Sequence, residues 1–338
     1  MKSLIVAFLV TISPSAFAIS EVNYVASYQE KVIPVLHNYQ YGEFSGTNKT
    51  PIHYATYTTN PASTRCLVIL PGRTEPIEKY AEVVENLDTG KLAGQFTYFL
   101  MDHRGQGSSG RMLSDFDNYQ KGYVDHFENY ANDIKIFMDT VVAQKNCSHK
   151  LLLAHSLGAG ISIDFLQRYP EYFDRAALTS PMLKILTAPY SYTVARSIVL
   201  ASMAAGRGKK FAVGQKGFNP TRDFENNDFT TSPVRYEMAM SMFDMFPKAK
   251  LGGVTNRWLN EVMSATHNIR KNYRDIKIPL LVFNAGNELY SEPSEMARFC
   301  DEAPYCVRTF LPTSKHEVLM DRDANRDVVM TELTEFLK

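Results

Sequence analysis

Five residues, Ala154-His155-Ser156-Leu157-Gly158, constrain this chain more than any other feature, because they join an apolar run at 150–154 to a helical pattern at 157–168. A serine on a sharp strand-to-helix turn holds its hydroxyl out at the sheet edge. The positions two before and two after it must then be small, so that the strand and helix backbones can pass. Ala154 and Gly158 meet that requirement, and Gly160 falls in the same first helical turn. This turn needs a strand whose carboxyl end runs straight into a helix, which is the repeating join of a layered α/β sheet.

The surrounding sequence supplies such a sheet. From Thr50 onward, short β-rich runs alternate with helical patterns. The runs predict strands at 66–70, 96–101, 150–154, 176–179, 279–283 and 307–310, with helices at 77–87, 129–144, 157–168 and 326–337. Several runs are continuously apolar, as strands covered on both faces are. The expected fold class is therefore α/β, a mostly parallel sheet flanked by helices, built from residues 19–180 and 276–338.

Between 181 and 275 the alternation stops. Helical patterns and a Gly-rich stretch at 206–217 remain, with no convincing strand, so this segment reads as an inserted helical lid. Residues 193–205 are apolar but interrupted by Arg196, and Met238, Met240, Met242 and Met245 cluster with Phe243 and Phe246. Either these side chains pack a small core within the lid, or they line an acyl-chain pocket, for which thioethers and rings make an adaptable apolar wall.

Lys plus Arg total 36 and Asp plus Glu total 36, so the basic footprint of a nucleic-acid binder is missing. Residues 1–18 carry Lys2, an apolar run at 4–12 and Ala16-Phe17-Ala18, the pattern of a secretory signal cleaved after Ala18. The apolar run is about half of the ~20 residues that span a bilayer. Export, to the periplasm or beyond, would put Cys66, Cys147, Cys300 and Cys306 in an oxidising compartment where disulfides form, and four cysteines allow three pairings. None of them has a second cysteine or a histidine at zinc-ligand spacing. No metal or organic cofactor is implied.

A serine hydroxyl attacks only when a positioned base takes its proton, and the base needs a carboxylate to hold its tautomer. For a serine on this kind of turn the chain order is serine, acid, histidine. His316 follows the last predicted strand, and Glu288 is the first carboxylate after the run at 279–283; Asp301 and Asp321 are the alternative acids. His155 and His103 read as structural. Backbone N–H donors for an oxyanion are expected from Leu157 and from Arg73, in the Pro71-Gly72-Arg73 loop after the strand at 66–70.

Taken together, Leu70-Pro-Gly-Arg-Thr-Glu75, Met101-Asp-His-Arg-Gly-Gln-Gly-Ser-Ser-Gly-Arg111, Ala154-His-Ser-Leu-Gly158, Leu251-Gly-Gly-Val-Thr-Asn-Arg-Trp258 and Lys315-His-Glu317 resemble the bacterial lysophospholipase and monoacylglycerol lipase branch of the α/β-hydrolases. The resemblance runs from Thr50 to the end of the chain. It implies a serine ester hydrolase with Ser156, Glu288 and His316 as catalytic residues and Arg73 and Leu157 as oxyanion donors. A lysophospholipid or monoacylglycerol would be the substrate; the apolar stretch at 193–205 could additionally make transient contact with a membrane surface while the lipid enters. Ala154 stands in place of the usual first glycine, Pro71 in place of a histidine and Glu288 in place of the commoner aspartate. In this fold the strands opened by Cys66 and Cys147 would be parallel neighbours, which pairs those two; Cys300 and Cys306 bracket a loop short enough to pair. Thioesterase or prolyl aminopeptidase activity, and a non-catalytic lipid-binding protein, are the other readings the fold admits.

Overall fold

Alternate residues of the central strands feed two separate apolar layers. Cys66, Val68 and Leu70 point to one face and Leu67 and Ile69 to the other, and Leu152 and Ala154 alternate with Leu151 and Leu153 in the same way. The computed structural model describes residues 19–113 and 120–338, so the expected signal at 1–18 lies outside the described residues. Among the described residues eight strands form one sheet: β1 Gln40–Ser45, β2 Pro51–Tyr57, β3 Arg65–Leu70, β4 Thr97–Met101, β5 His149–His155, β6 Arg175–Thr179, β7 Leu280–Asn287 and β8 Cys306–Lys315. Their order is β1-β2-β4-β3-β5-β6-β7-β8. The pairs β1–β2 and β2–β4 are antiparallel and all the others are parallel.

Every predicted strand is present. The β1–β2 hairpin was not anticipated, because β1 buries none of its residues and β2 buries only Ile52 and Ala55, leaving little apolar pattern to read. Two short helices, α1 Tyr24–Ser27 and α2 Ile33–His37, are joined by one π-helical turn over Tyr28–Val32. With α3 Ala81–Thr89 they cover one face of the sheet, while α4 Glu128–Thr140 and α5 Ser156–Arg168 cover the other. The predicted helix at 77–87 begins as a 3-10 turn over Ile77–Tyr80, and the one at 129–144 ends at Thr140, with a 3-10 turn at Val142–Gln144.

Residues 181–275 hold α6 Tyr192–Ala204, α7 Pro233–Met245 and α8 Asn256–Ile269, with no named strand. Each helix starts where a hydroxyl can cap it: Ser191, Ser232 and Thr255 accept from the N–H of Val194, Arg235 and Trp258. The Met238–Phe246 cluster does not act as one unit, because side chains two apart on a helix cannot share a face. Met242 is buried, Met238 and Phe246 pack with it against the α3 side of the core, and Met245 is exposed. Met240 and Phe243, three residues apart, line a cavity of about 60 Å³ with Thr74, Glu75, Phe229 and Glu317.

After β7 come α9 Pro293–Glu302 and α10 Asp323–Phe336. The start of the described chain is fastened to α7 and α10. The Ile19 carbonyl accepts from Arg235 Nη2 at 2.7 Å, and the Ser20 hydroxyl donates to Asp323 Oδ2 at 2.7 Å. The Glu21 carboxylate accepts from the Ser232 hydroxyl at 2.6 Å and from the Asp323 N–H at 3.1 Å. Disulfides join Cys66 to Cys147 and Cys300 to Cys306, with Cα separations of 5.8 and 4.9 Å. Cys147 lies two residues ahead of β5 rather than opening it.

Candidate active site

Three parallel strands each end one residue before a polar side chain. Ser156 follows β5, Glu288 follows β7 and His316 follows β8. The residues expected to form loops at 284–287 and 312–315 are therefore strand, and both strands run on to the site itself. Between Ala285 and Asn287 the β7–β8 register shifts. Gly286 permits the close approach there, since a Cβ on it would lie 2.3 Å from the Pro312 carbonyl oxygen. Such a bulge bends the strand and re-aims the residues beyond it, and Glu288 comes next.

Ser156 has φ +50°, the left-handed conformation that a side chain adopts only under constraint. The constraint comes from α5, which packs directly on the end of β3. A Cβ on Gly158 would sit 2.4 Å from the Pro71 carbonyl oxygen and 2.6 Å from that of Leu70. This is the physical reason for a small residue two positions after the serine. From this turn the Ser156 Oγ reaches His316 Nε2 at 2.8 Å, and His316 Nδ1 reaches Glu288 Oε2 at 2.6 Å. The other Glu288 oxygen accepts the N–H groups of Tyr290 and Ser291 at 2.7 and 3.2 Å. Burial alone would raise the Glu288 pKa, but the His316 hydrogen bond and charge, with those two N–H groups, hold it below the usual carboxylate range.

The alternative acids stand apart from this chain of hydrogen bonds. Asp301 is exposed near the end of α9, and buried Asp321 accepts from the Thr231 N–H at 2.8 Å and Asn325 Nδ2 at 2.9 Å. Ser180, with φ +44° after β6, donates its hydroxyl to the His316 carbonyl at 2.7 Å and so fixes the histidine loop. The Leu157 N–H belongs to the first turn of α5, where no helical carbonyl can accept it. Arg73 turns its guanidinium away to the Gly252 carbonyl and the Trp258 ring, 5.5 Å from the ring centroid. Burial pulls that guanidinium down to about 10.

Sequence reasoning missed a buried charged group beside this constellation. His155 contacts the site, its ring 4.9 Å from that of His316 and its Nδ1 2.9 Å from the Thr179 hydroxyl. Burial pushes His155 down to about 3 and keeps it neutral. Glu75, His155 and Glu317 bring ligand-type atoms within 4.8 Å of one another, a spacing at which a metal ion could be held. The Lys79 ammonium already serves both carboxylates, donating to Glu75 Oε1 at 2.6 Å and to Glu317. Burial opposes ionisation of Glu75, but the Lys79 charge and the hydrogen bonds from Lys79 and the Tyr80 hydroxyl hold its carboxyl well below the usual range, and against the pull of burial the two acids in turn raise Lys79. The signal available in the sequence was the i,i+4 pair Glu75 and Lys79, together with an acid directly after His316.

A hydroxyl, an imidazole and a carboxylate in one hydrogen-bonded chain, beside the Leu157 N–H in the first turn of α5, can activate an oxygen nucleophile and stabilise a tetrahedral anion. Comparison with known proteins agrees with that chemistry. The family pattern described as "Serine aminopeptidase, S33" matches residues 61–323. The chain is 31% identical to lysophospholipase L2 of Escherichia coli over 302 residues, 87% of this chain and 86% of that protein. It is 27% identical to the probable lysophospholipase L2 of Haemophilus influenzae, over 91% and 95% of the two chains. Among solved structures, a soluble variant of the Saccharomyces cerevisiae monoglyceride lipase superposes with TM-score 0.67 at 14% identity, covering 88% of this chain and 93% of that one. The Paleococcus ferrophilus monoacylglycerol lipase gives 0.63 at 17% identity, covering 85% and 98%.

Proposed function

This chain belongs to the serine aminopeptidase S33 family of α/β-hydrolases, in its lysophospholipase and monoacylglycerol lipase branch, and is a serine ester hydrolase; from that premise we propose that it is exported and cleaves the acyl ester of lysophospholipids or monoacylglycerols. The carrying observation is the unbroken chain from Glu288 through His316 to the Ser156 hydroxyl. His316 takes the Ser156 proton as Oγ attacks the ester carbonyl. Arg73 and Leu157 N–H groups face the oxygen that becomes negative, and Glu288 stabilises the imidazolium. When the C–O bond breaks, the proton on His316 passes to the departing alcohol, leaving an acyl group on Ser156. A water molecule then repeats the sequence and releases the fatty acid.

The head group of a single-chain lipid can stay in water while its acyl chain is buried, each CH₂ contributing about 0.8 kcal/mol. Residues 181–275 act as the lid over the site in this reading. Val194 and Leu200 on α6, with Leu186 and Tyr190 just before it, are exposed and would meet the lipid surface. Export is supported by the pattern at 1–18 and by the two disulfides. A panel of lysophosphatidylcholine, monoacylglycerol, short acyl esters, acyl thioesters and proline amides, run with wild type and Ser156→Ala, tests the proposal. Fastest turnover of the two single-chain lipids, abolished in Ser156→Ala, is expected. A preference for proline amides or thioesters would overturn the substrate assignment, and full activity of Ser156→Ala would overturn the mechanism.

A further inference from the structure

The peptide unit between Gly72 and Arg73 carries the N–H expected to face the oxyanion, and its carbonyl end has a dedicated partner. Gln106 is buried and donates from Nε2 to the Gly72 carbonyl oxygen at 2.7 Å. A trans peptide is planar with its C=O and N–H antiparallel, so holding that oxygen at Gln106 turns the Arg73 N–H the opposite way. The unit before it is held as well, since the Gly72 N–H donates to Glu75 Oε2 at 2.6 Å. Thr74 follows with φ +66°, so the loop is wound tightly on both sides. The loop also abuts the serine turn: a Cβ on Gly72 would stand 2.8 Å from His155 Cδ2. Gln106 is rigid in its own right. It sits in a turn wound on Asp102, whose carboxylate accepts the Ser108 and Ile77 N–H groups at 2.8 and 3.1 Å. Gly107, at φ +54°, leaves no space between the turn and that carboxylate.

We propose that Gln106 is a positioning residue for the oxyanion site, presetting the Gly72–Arg73 peptide so that its N–H is aimed before substrate arrives. The proposal rests on the acyl-transfer reading above. It gives the Met101–Arg111 motif, which in the sequence contributes only to the family resemblance, a task in the reaction. A peptide held this way costs no reorganisation when charge develops, and loss of one oxyanion donor typically lowers kcat by about 10²–10³.

Gln106→Glu and Gln106→His test it on the full-length enzyme. The first keeps size but puts an acceptor against the Gly72 carbonyl, and the second keeps an N–H donor. With a p-nitrophenyl acyl ester, Gln106→Glu is expected to lower kcat by about 30-fold or more with KM changed less than three-fold. It should weaken inhibition by a trifluoromethyl ketone, whose serine adduct carries the oxyanion, by a similar factor. Gln106→His should recover most of both losses, and melting temperatures report folding independently. Should Gln106→Glu not fold, Gln106→His against wild type carries the comparison: ester turnover and ketone affinity kept within about five-fold support the assignment, and loss of both in a folded Gln106→His overturns it. Gln106→Glu with wild-type kcat and ketone affinity overturns the assignment and leaves the acyl-transfer reading standing. A wild type that neither turns over the ester nor binds the ketone overturns both.

Discussion

Gly158 and Glu288 show two ways in which one side chain decides the site. At Gly158 the constraint is steric. A methyl group would meet the Leu70 and Pro71 carbonyl oxygens, neither of which can swing aside. Gly158→Ala should therefore cost about 1–3 kcal/mol of stability and displace the serine turn; unchanged urea midpoint and fluorophosphonate labelling would refute this. At Glu288 the constraint is electrostatic. Glu288→Gln keeps the shape but removes the charge opposite the imidazolium, so kcat should fall by about 10⁴ with little change in folding. Near-wild-type turnover would move the acid role elsewhere. That Ser156, Glu288 and His316 would meet could be read because each follows an apolar strand run and the order of the three groups is fixed, although β7 and β8 run on past the runs that predicted them. The roles of Gln106 and of the Lys79–Glu317 pair could not be read, because they arise from contacts between segments 34 and 238 residues apart, of which the local Glu75–Lys79 spacing shows only one side.

At the level of elements, the six parallel strands could be read from apolar runs, whereas β1 and β2 depend on pairing rather than on burial and left no pattern. The disulfides bind elements of very different separation. Cys66–Cys147 closes 81 residues between β3 and the approach to β5, and Cys300–Cys306 closes 6 between α9 and β8. Chain-entropy reasoning gives about 4.5 kcal/mol for the first and about 2 for the second. Replacing Cys66 and Cys147 by Ala should thus lower the urea midpoint roughly twice as far as replacing Cys300 and Cys306. Equal shifts would mean that the long loop is already restrained in the unfolded chain.

Across the whole molecule, two buried neutral histidines tie stability to acidity. In the unfolded chain each titrates near 6.5; in the fold, burial pushes His155 to about 3 and His103 to about 4. Between those values the unfolded state binds more protons, so this part of the stability is intact above pH 6.5 and is lost as pH falls through the window. At pH 5 the loss should be about 2 kcal/mol for each histidine. A His103→Asn, His155→Asn double variant should accordingly lose less stability than wild type between pH 7 and pH 5, measured by urea unfolding. Identical losses would sink this account.

If the chain is exported as proposed, the fastening of Ile19, Ser20 and Glu21 to Arg235, Ser232 and Asp323 also sets a clock. A peptidase cutting after Ala18 needs an accessible, extended backbone, and Ile19 is 2% exposed once docked. For an exported chain the cut must come while this segment is still loose, so leader removal and folding run in competition. A precursor refolded before it meets the peptidase should resist processing, and the same precursor carrying Arg235→Ala should be cut readily; equal rates would mean that the clasp closes too weakly to keep time.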